Sequence, residues 1–89
     1  MKNIQEISKL VKNLHSEIEV ETLFKELLTE SEIETLSKRW RILEMLKQGL
    51  TQREIAKELQ VSLCKVTRGA KILKNSDSVL AKYLIKEKI

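Results

Sequence analysis

Two helix start signals follow one another within residues 51–74, TQREIAKELQVSLCKVTRGAKILK, and the space between them leaves room only for a tight turn. Thr51 is followed three residues later by Glu54, a capping box in which each side chain satisfies a backbone N–H that the first helical turn leaves orphaned. Leu50 and Ile55 stand where a hydrophobic staple closes such a box. Ile55, Ala56 and Leu59 then mark one apolar face. Val61 closes the turn, Ser62 can cap a second helix, and Leu63, Val66 and Gly69 or Ala70 give that helix its inward side. The small Ala56 permits a close crossing, and Val61 and Val66 fill the angle between the two helices. This pattern is a helix-turn-helix, a unit able to place its second helix in a DNA groove. Gln60 occupies a turn position that often holds glycine, a strain of about 1 kcal/mol if its φ is positive.

The rest of the chain also reads as helix. There is no proline, the two glycines stand apart, and the 89 residues suit one domain or half of a domain shared with a partner. The expected class is all-α. Cys64 is the single cysteine, which excludes an intrachain disulfide and a CxxC metal site, so no metal is expected. Its place suits a small residue on the reading surface. No apolar run approaches a membrane span or a signal segment, and the expectation is a soluble cytoplasmic protein with no membrane partner. No Ser/His/Asp arrangement, paired-carboxylate cleft or glycine-rich phosphate loop is present, which argues against an enzyme.

Ile4, Ile7, Val11, Leu14 and Ile18 step by 3, 4, 3 and 4, a heptad seam expected on one helix. Two arrangements would cover it: a helix from a second chain, or packing within the monomer. His15, at the end of that helix, would meet carbonyls or solvent. A second helix is expected over 20–28, with Leu23, Phe24, Leu27 and Leu28 apolar. Thr29 and Glu32 form another capping box, flanked by Leu28 and Ile33, and open the longest helix, about 30–48. Ile33, Leu36, Trp40, Leu43 and Leu46 form its inward stripe, and Gly49 stops it as a left-handed residue would. Trp40 suits a core or a dimer interface better than a stacking platform for bases. Val79, Leu80, Tyr83 and Leu84 line a last helix, about 77–87. The layout is six helices, with the helix-turn-helix at 51–74 and a dimerisation core formed by 1–48 and 77–89.

The net charge of +4 hides a gradient. Residues 1–36 hold four Lys against eight Glu, whereas 37–74 hold ten Lys and Arg against three Glu. A positive zone that coincides with the helix-turn-helix is what a phosphate backbone attracts. The plainer alternative is that charged helices solvate their outer faces.

The segment 28–74, LTESEIETLSKRWRILEMLKQGLTQREIAKELQVSLCKVTRGAKILK, resembles the tryptophan repressor family. The pieces that carry the likeness are Leu28-Thr29, Arg39 and Arg41, Gln52-Arg53-Glu54 and Thr67-Arg68-Gly69. The resemblance implies an intertwined homodimer that reads a double-stranded DNA operator and takes L-tryptophan as a non-covalent corepressor. It also implies that Arg39 and Arg68 flank the indole and that Arg68 meets the carboxylate, where a planar guanidinium both stacks and forks. Backbone carbonyls around Glu26 and Leu28 of the partner subunit would take the ammonium. Thr29 and Ile42 would line the site, and Gly69 would leave room for close approach. On the DNA side, Gln52 and Arg53 would begin the first motif helix, with Arg53 on a guanine. Ser62, Leu63, Cys64, Lys65 and Thr67 would face bases or waters on them, and Lys57, Lys71 and Lys74 would meet phosphates.

Two departures bear on the ligand. Ile72 stands where the family places a small polar residue, and an unpaired ligand group there costs about 1–3 kcal/mol. Lys65 stands where a threonine is common and could attract the carboxylate or serve DNA alone. The leading expectation is a tryptophan-gated repressor of tryptophan biosynthesis or transport genes. The alternatives are a regulator of the same fold with another effector or none, and a helical module that docks a protein partner.

Overall fold

A computed structural model describes residues 2–87, which form six α-helices and no strand. These are α1 (Lys2–Lys12), α2 (Glu17–Leu27), α3 (Glu30–Lys47), α4 (Gln52–Leu59), α5 (Leu63–Lys74) and α6 (Val79–Glu87). Residues 88 and 89, the end of the expected core segment, lie outside the described residues. The chain divides into two compact units, Met1–Glu34 and Thr35–Ile89, and α3 runs through both.

In the first unit, the single seam helix expected from the heptad stepping is two helices. α1 ends at Lys12, Leu14 lies in the break, and Ile18 belongs to α2, where it is 75% exposed. Local hydrogen bonding causes the break. Ser16 takes an extended backbone and its hydroxyl accepts from the Glu19 N–H, while the His15 N–H donates to Glu19 Oε1 at 2.6 Å. Ser16-x-x-Glu19 is a capping signature that the hydrophobic stepping overrode in the sequence reading. α2 accordingly begins at Glu17, earlier than the expected 20. It closes at Leu28, whose N–H reaches the Phe24 carbonyl at 2.9 Å. The Thr29–Glu32 box is present in both directions, at 2.9 and 3.1 Å.

In the second unit, α3 ends as expected at Gly49, with φ 96°. The Leu50 N–H returns to the Met45 carbonyl and the Gly49 N–H to Leu46, a Schellman closure. The stripe that α3 buries differs from the expected one. Leu43 is buried, but Leu36 is exposed and Trp40 is half-buried, while Ile42 and Met45 join the core. That core unites Ile42, Met45, Ile55 and Val66, with Leu46, Leu50, Ala56, Leu59 and Val61 packed around it. Trp40 lies against Tyr83 of α6, ring centroids 6.0 Å apart. α6 starts at Val79, later than the expected 77, because Ser78 caps it through Ala81 and an Asn75–Asp77 side-chain turn precedes it. Its buried residues are Ala81 and Leu84; Val79, Leu80 and Tyr83 are exposed.

Candidate nucleic-acid interface

The two-helix head is built by local rules first. Thr51 caps α4 with the full reciprocal box, Thr51 N–H to Glu54 Oε1 at 2.9 Å and Glu54 N–H to the Thr51 hydroxyl at 3.2 Å. The Thr51 backbone N–H, and then its hydroxyl, hold the Glu54 carboxyl below its ordinary pKa. Gln60 ends α4 in the left-handed region, φ 55° and ψ 48°, which meets the condition for strain at this turn position. The Val61 N–H returns to the Ala56 carbonyl across it, a second closure of the Schellman type. Ser62 then caps α5 through the Lys65 N–H at 3.4 Å.

Packing fixes how the two helices meet. Ile55 and Val66 are both 0% exposed and form the centre of the crossing. Gly69 faces α3, where an added Cβ would sit 2.9 Å from Ile42 Cγ2 and 3.4 Å from Leu43 Cδ2. The close approach at this glycine is therefore helix on helix. Ile42, expected to line a ligand site, is 1% exposed beneath it and belongs to the core. Leu63 was expected both inward and on the reading surface; at 45% exposure it is on the surface, because Val66 and Gly69 already fill the inward face. A polar clasp completes the head: the Thr67 hydroxyl donates to Gln52 Oε1 at 2.9 Å in a half-buried setting. Nothing in the residue spacing announces this bond, which joins side chains fifteen positions apart.

The outward face is basic. Arg53 and Lys57 of α4 and Cys64, Lys65, Arg68, Lys71 and Lys74 of α5 are all exposed, as is Ser62 at the turn. Leu63, Cys64, Thr67, Arg68 and Lys71 line one open depression along α5. Cys64 is a free thiol on that surface. The expected DNA-facing residues are thus brought to one two-helix head, with Gln52 and Thr67 engaged to each other. The expected ligand residues are divided between the two units. Arg39, Lys65 and Arg68 are exposed and Ile72 is half-buried in the second unit. Glu26 and Thr29 are exposed and Leu28 is half-buried in the first. The Thr29 hydroxyl is used to cap α3. Among the described residues, no group of three or more His, Cys, Asp or Glu could hold a metal ion. No helix among them is long and apolar enough to cross a membrane.

The model of one family, described as Trp repressor protein, matches residues 2–88. A Trp operon repressor homolog of Chlamydia trachomatis serovar L2 is 44% identical over 52 residues, which cover 57% of this chain and 55% of the relative. A protein of the same name from serovar D is 42% identical over the same shares. The match thus spans little more than half the length of these curated relatives. No solved structure matches the chain.

Proposed function

The chain belongs to the Trp repressor protein family, and on that premise we propose that it is a DNA-binding transcriptional repressor, acting as a homodimer and gated by L-tryptophan. The observation that carries this reading is the head itself. α5 turns Val66 and Gly69 inward against Ile55 and α3, and presents Cys64, Lys65, Arg68 and Lys71 outward. Such a helix enters a major groove with base-reading residues near its start and phosphate-binding cations along its sides. Arg53 can pair with a guanine through O6 and N7, and Lys57, Lys71 and Lys74 neutralise phosphates.

Dimerisation is supported by apolar surface that one protomer leaves uncovered. Ile4, Ile7, Leu10 and Val11 of α1, Ile18 and Leu27 of α2, and Val79 and Ile85 of α6 are all exposed. Apolar side chains left open along one helix face, as Ile4, Ile7 and Val11 are on α1, mark an association face. Two heads on a symmetric dimer reach successive major grooves about 34–36 Å apart, a spacing general to dimeric helix-turn-helix proteins, of which Trp repressors are themselves an example.

Gating by L-tryptophan draws on Arg39 and Arg68, whose exposed guanidinium groups can flank an indole and fork to a carboxylate. Backbone carbonyls around Glu26 and Leu28 of the partner subunit would take the ammonium, and Thr29 and Gly69 would border the ligand. Ile42 supports this wall from behind. The half-buried Ile72 and the charged Lys65 replace polar neighbours of the ligand, so its carboxylate leans on Lys65 and Arg68. The bound ligand acts as a wedge that sets the tilt of α5, and it shifts the head only as far as it prefers the DNA-competent tilt.

The test is thermal unfolding with added L-tryptophan, with Arg68→Ala as control. At one hundred times the dissociation constant, binding adds about 2.7 kcal/mol per site. No shift at millimolar tryptophan discards the corepressor and leaves a regulator with another effector or none. Duplex affinity that falls steeply with salt and favours selected sequences separates a repressor from a protein-docking module.

A further inference from the structure

We propose that Thr67 is a positioning residue, which orients the Gln52 side-chain amide so that the amide presents only hydrogen-bond donors to a DNA phosphate. The inference rests on the repressor reading and assigns a specific task to two of its residues. The Thr67 hydroxyl donates to Gln52 Oε1 at 2.9 Å. That bond takes up the acceptor end of the amide and leaves the two Nε2 hydrogens.

A glutamine amide is ambivalent, with a carbonyl acceptor at one end and an NH2 donor at the other. A phosphate oxygen accepts only. An amide turned with Oε1 outward repels phosphate, and a freely rotating amide spends part of its time that way round. By donating to Oε1, Thr67 favours the orientation that turns Nε2 toward the phosphate before DNA arrives. It acts from a helix whose inward side is packed, since Val66 and Gly69 are buried against Ile55 and α3. The same bond ties the start of α4 to the middle of α5, so the donor moves with the recognition helix. Thr67 consequently serves through Gln52, and its own hydroxyl is not a reader of bases.

The experiment uses the full chain and a duplex recovered from a random-sequence pool by the wild-type protein, with affinity measured across a salt series. Hydrogen bonds to a charged group support an effect of about tenfold for Gln52→Ala and for Thr67→Val. Thr67→Ser keeps the hydroxyl and restores wild-type affinity. The double variant binds no more weakly than Gln52→Ala alone, because both remove one device. Gln52→Glu preserves an acceptor for Thr67 but turns an anionic oxygen to the phosphate, so it binds more weakly than Gln52→Ala. A neutral amide releases no counterion, so Gln52→Ala and Thr67→Val keep the wild-type salt slope, whereas Lys57→Ala lowers it by about 1. Unfolding midpoints without DNA identify any variant that fails to fold, and Gln52→Glu carries the test if Thr67→Val is such a variant. Additive losses in the double variant, failure of Thr67→Ser to restore binding, or equal losses for Gln52→Glu and Gln52→Ala overturn the inference. So does a folded Thr67→Val that binds like wild type, while the repressor reading stands. Absence of duplex binding by the wild type removes the repressor reading and this inference together.

Discussion

The crossing of α4 and α5 closes over Ile55 and Val66 completely, whereas no described side chain of α1 or α2 is buried. Both regions are amphipathic helices, and α2, α4 and α5 each carry a side-chain N-cap. The difference is the reach of their partners. α4 and α5 are joined by a turn of three residues and find each other, and α3, within the same unit. α1 and α2 display isoleucines and leucines that their own unit leaves exposed. Local signals thus complete the two-helix head within the second unit, while the first unit leaves its apolar side chains exposed.

The most direct way to break this contrast is a charge on the exposed seam. In the proposed dimer, Ile7→Glu removes apolar burial worth up to about 3 kcal/mol per protomer. The wild-type midpoint should then rise with protein concentration, and that dependence should vanish in the variant. An equal fall of the midpoint at every concentration would show that the seam is covered within the protomer. Ile55→Ala should instead lower stability by about 2–5 kcal/mol through a cavity in the head, at any concentration. Denaturant midpoints over a dilution series measure both.

Gly69→Ala comes next. Its Cβ would meet Ile42 Cγ2 at 2.9 Å, and overpacking of this kind costs about 1–3 kcal/mol, offset in part by the better helix propensity of alanine. A net gain in stability would mean that α3 and α5 separate easily. Thr51→Ala should cost about 1 kcal/mol through the lost cap of α4. The box also predicts a pH signature. Because the folded Glu54 carboxyl titrates below its ordinary value, its contribution is present above the unfolded carboxylate pKa and is lost as pH falls through the folded one. The stability difference between wild type and Glu54→Gln should therefore shrink on acidification, and a difference constant with pH would contradict it. The smallest expected change is a gain. Gln60→Gly relieves a left-handed backbone worth about 1 kcal/mol, less what glycine adds to the unfolded chain, for a net of about 0.5 kcal/mol.

The start and stop signals were legible because they act over three or four residues. The boxes at Thr29 and Thr51, the stop at Gly49 and the Ser62 cap all stand where the sequence places them. The break at Ser16 was equally local, since Ser16 and Glu19 carry the same signature. It was missed because a heptad count gives the same spacing whether or not the helix is continuous. The inward stripe of α3 was less legible. Trp40, Ile42, Leu43, Met45 and Leu46 offer apolar side chains on more than one face, and which face is covered depends on where α5 lies.

The amino-acid sequence by itself determined the class, the helix-turn-helix and the basic character of its outer face, because capping, periodicity and charge are written in neighbouring residues. Tertiary structure alone decided that Gly69 lies against Ile42 of α3, that Leu63 faces outward, and that Thr67 clasps Gln52. Each of those depends on two helices meeting at one particular angle. That angle is set by the fit of Ile55 and Val66 against α3, a packing outcome that no single stretch of residues encodes.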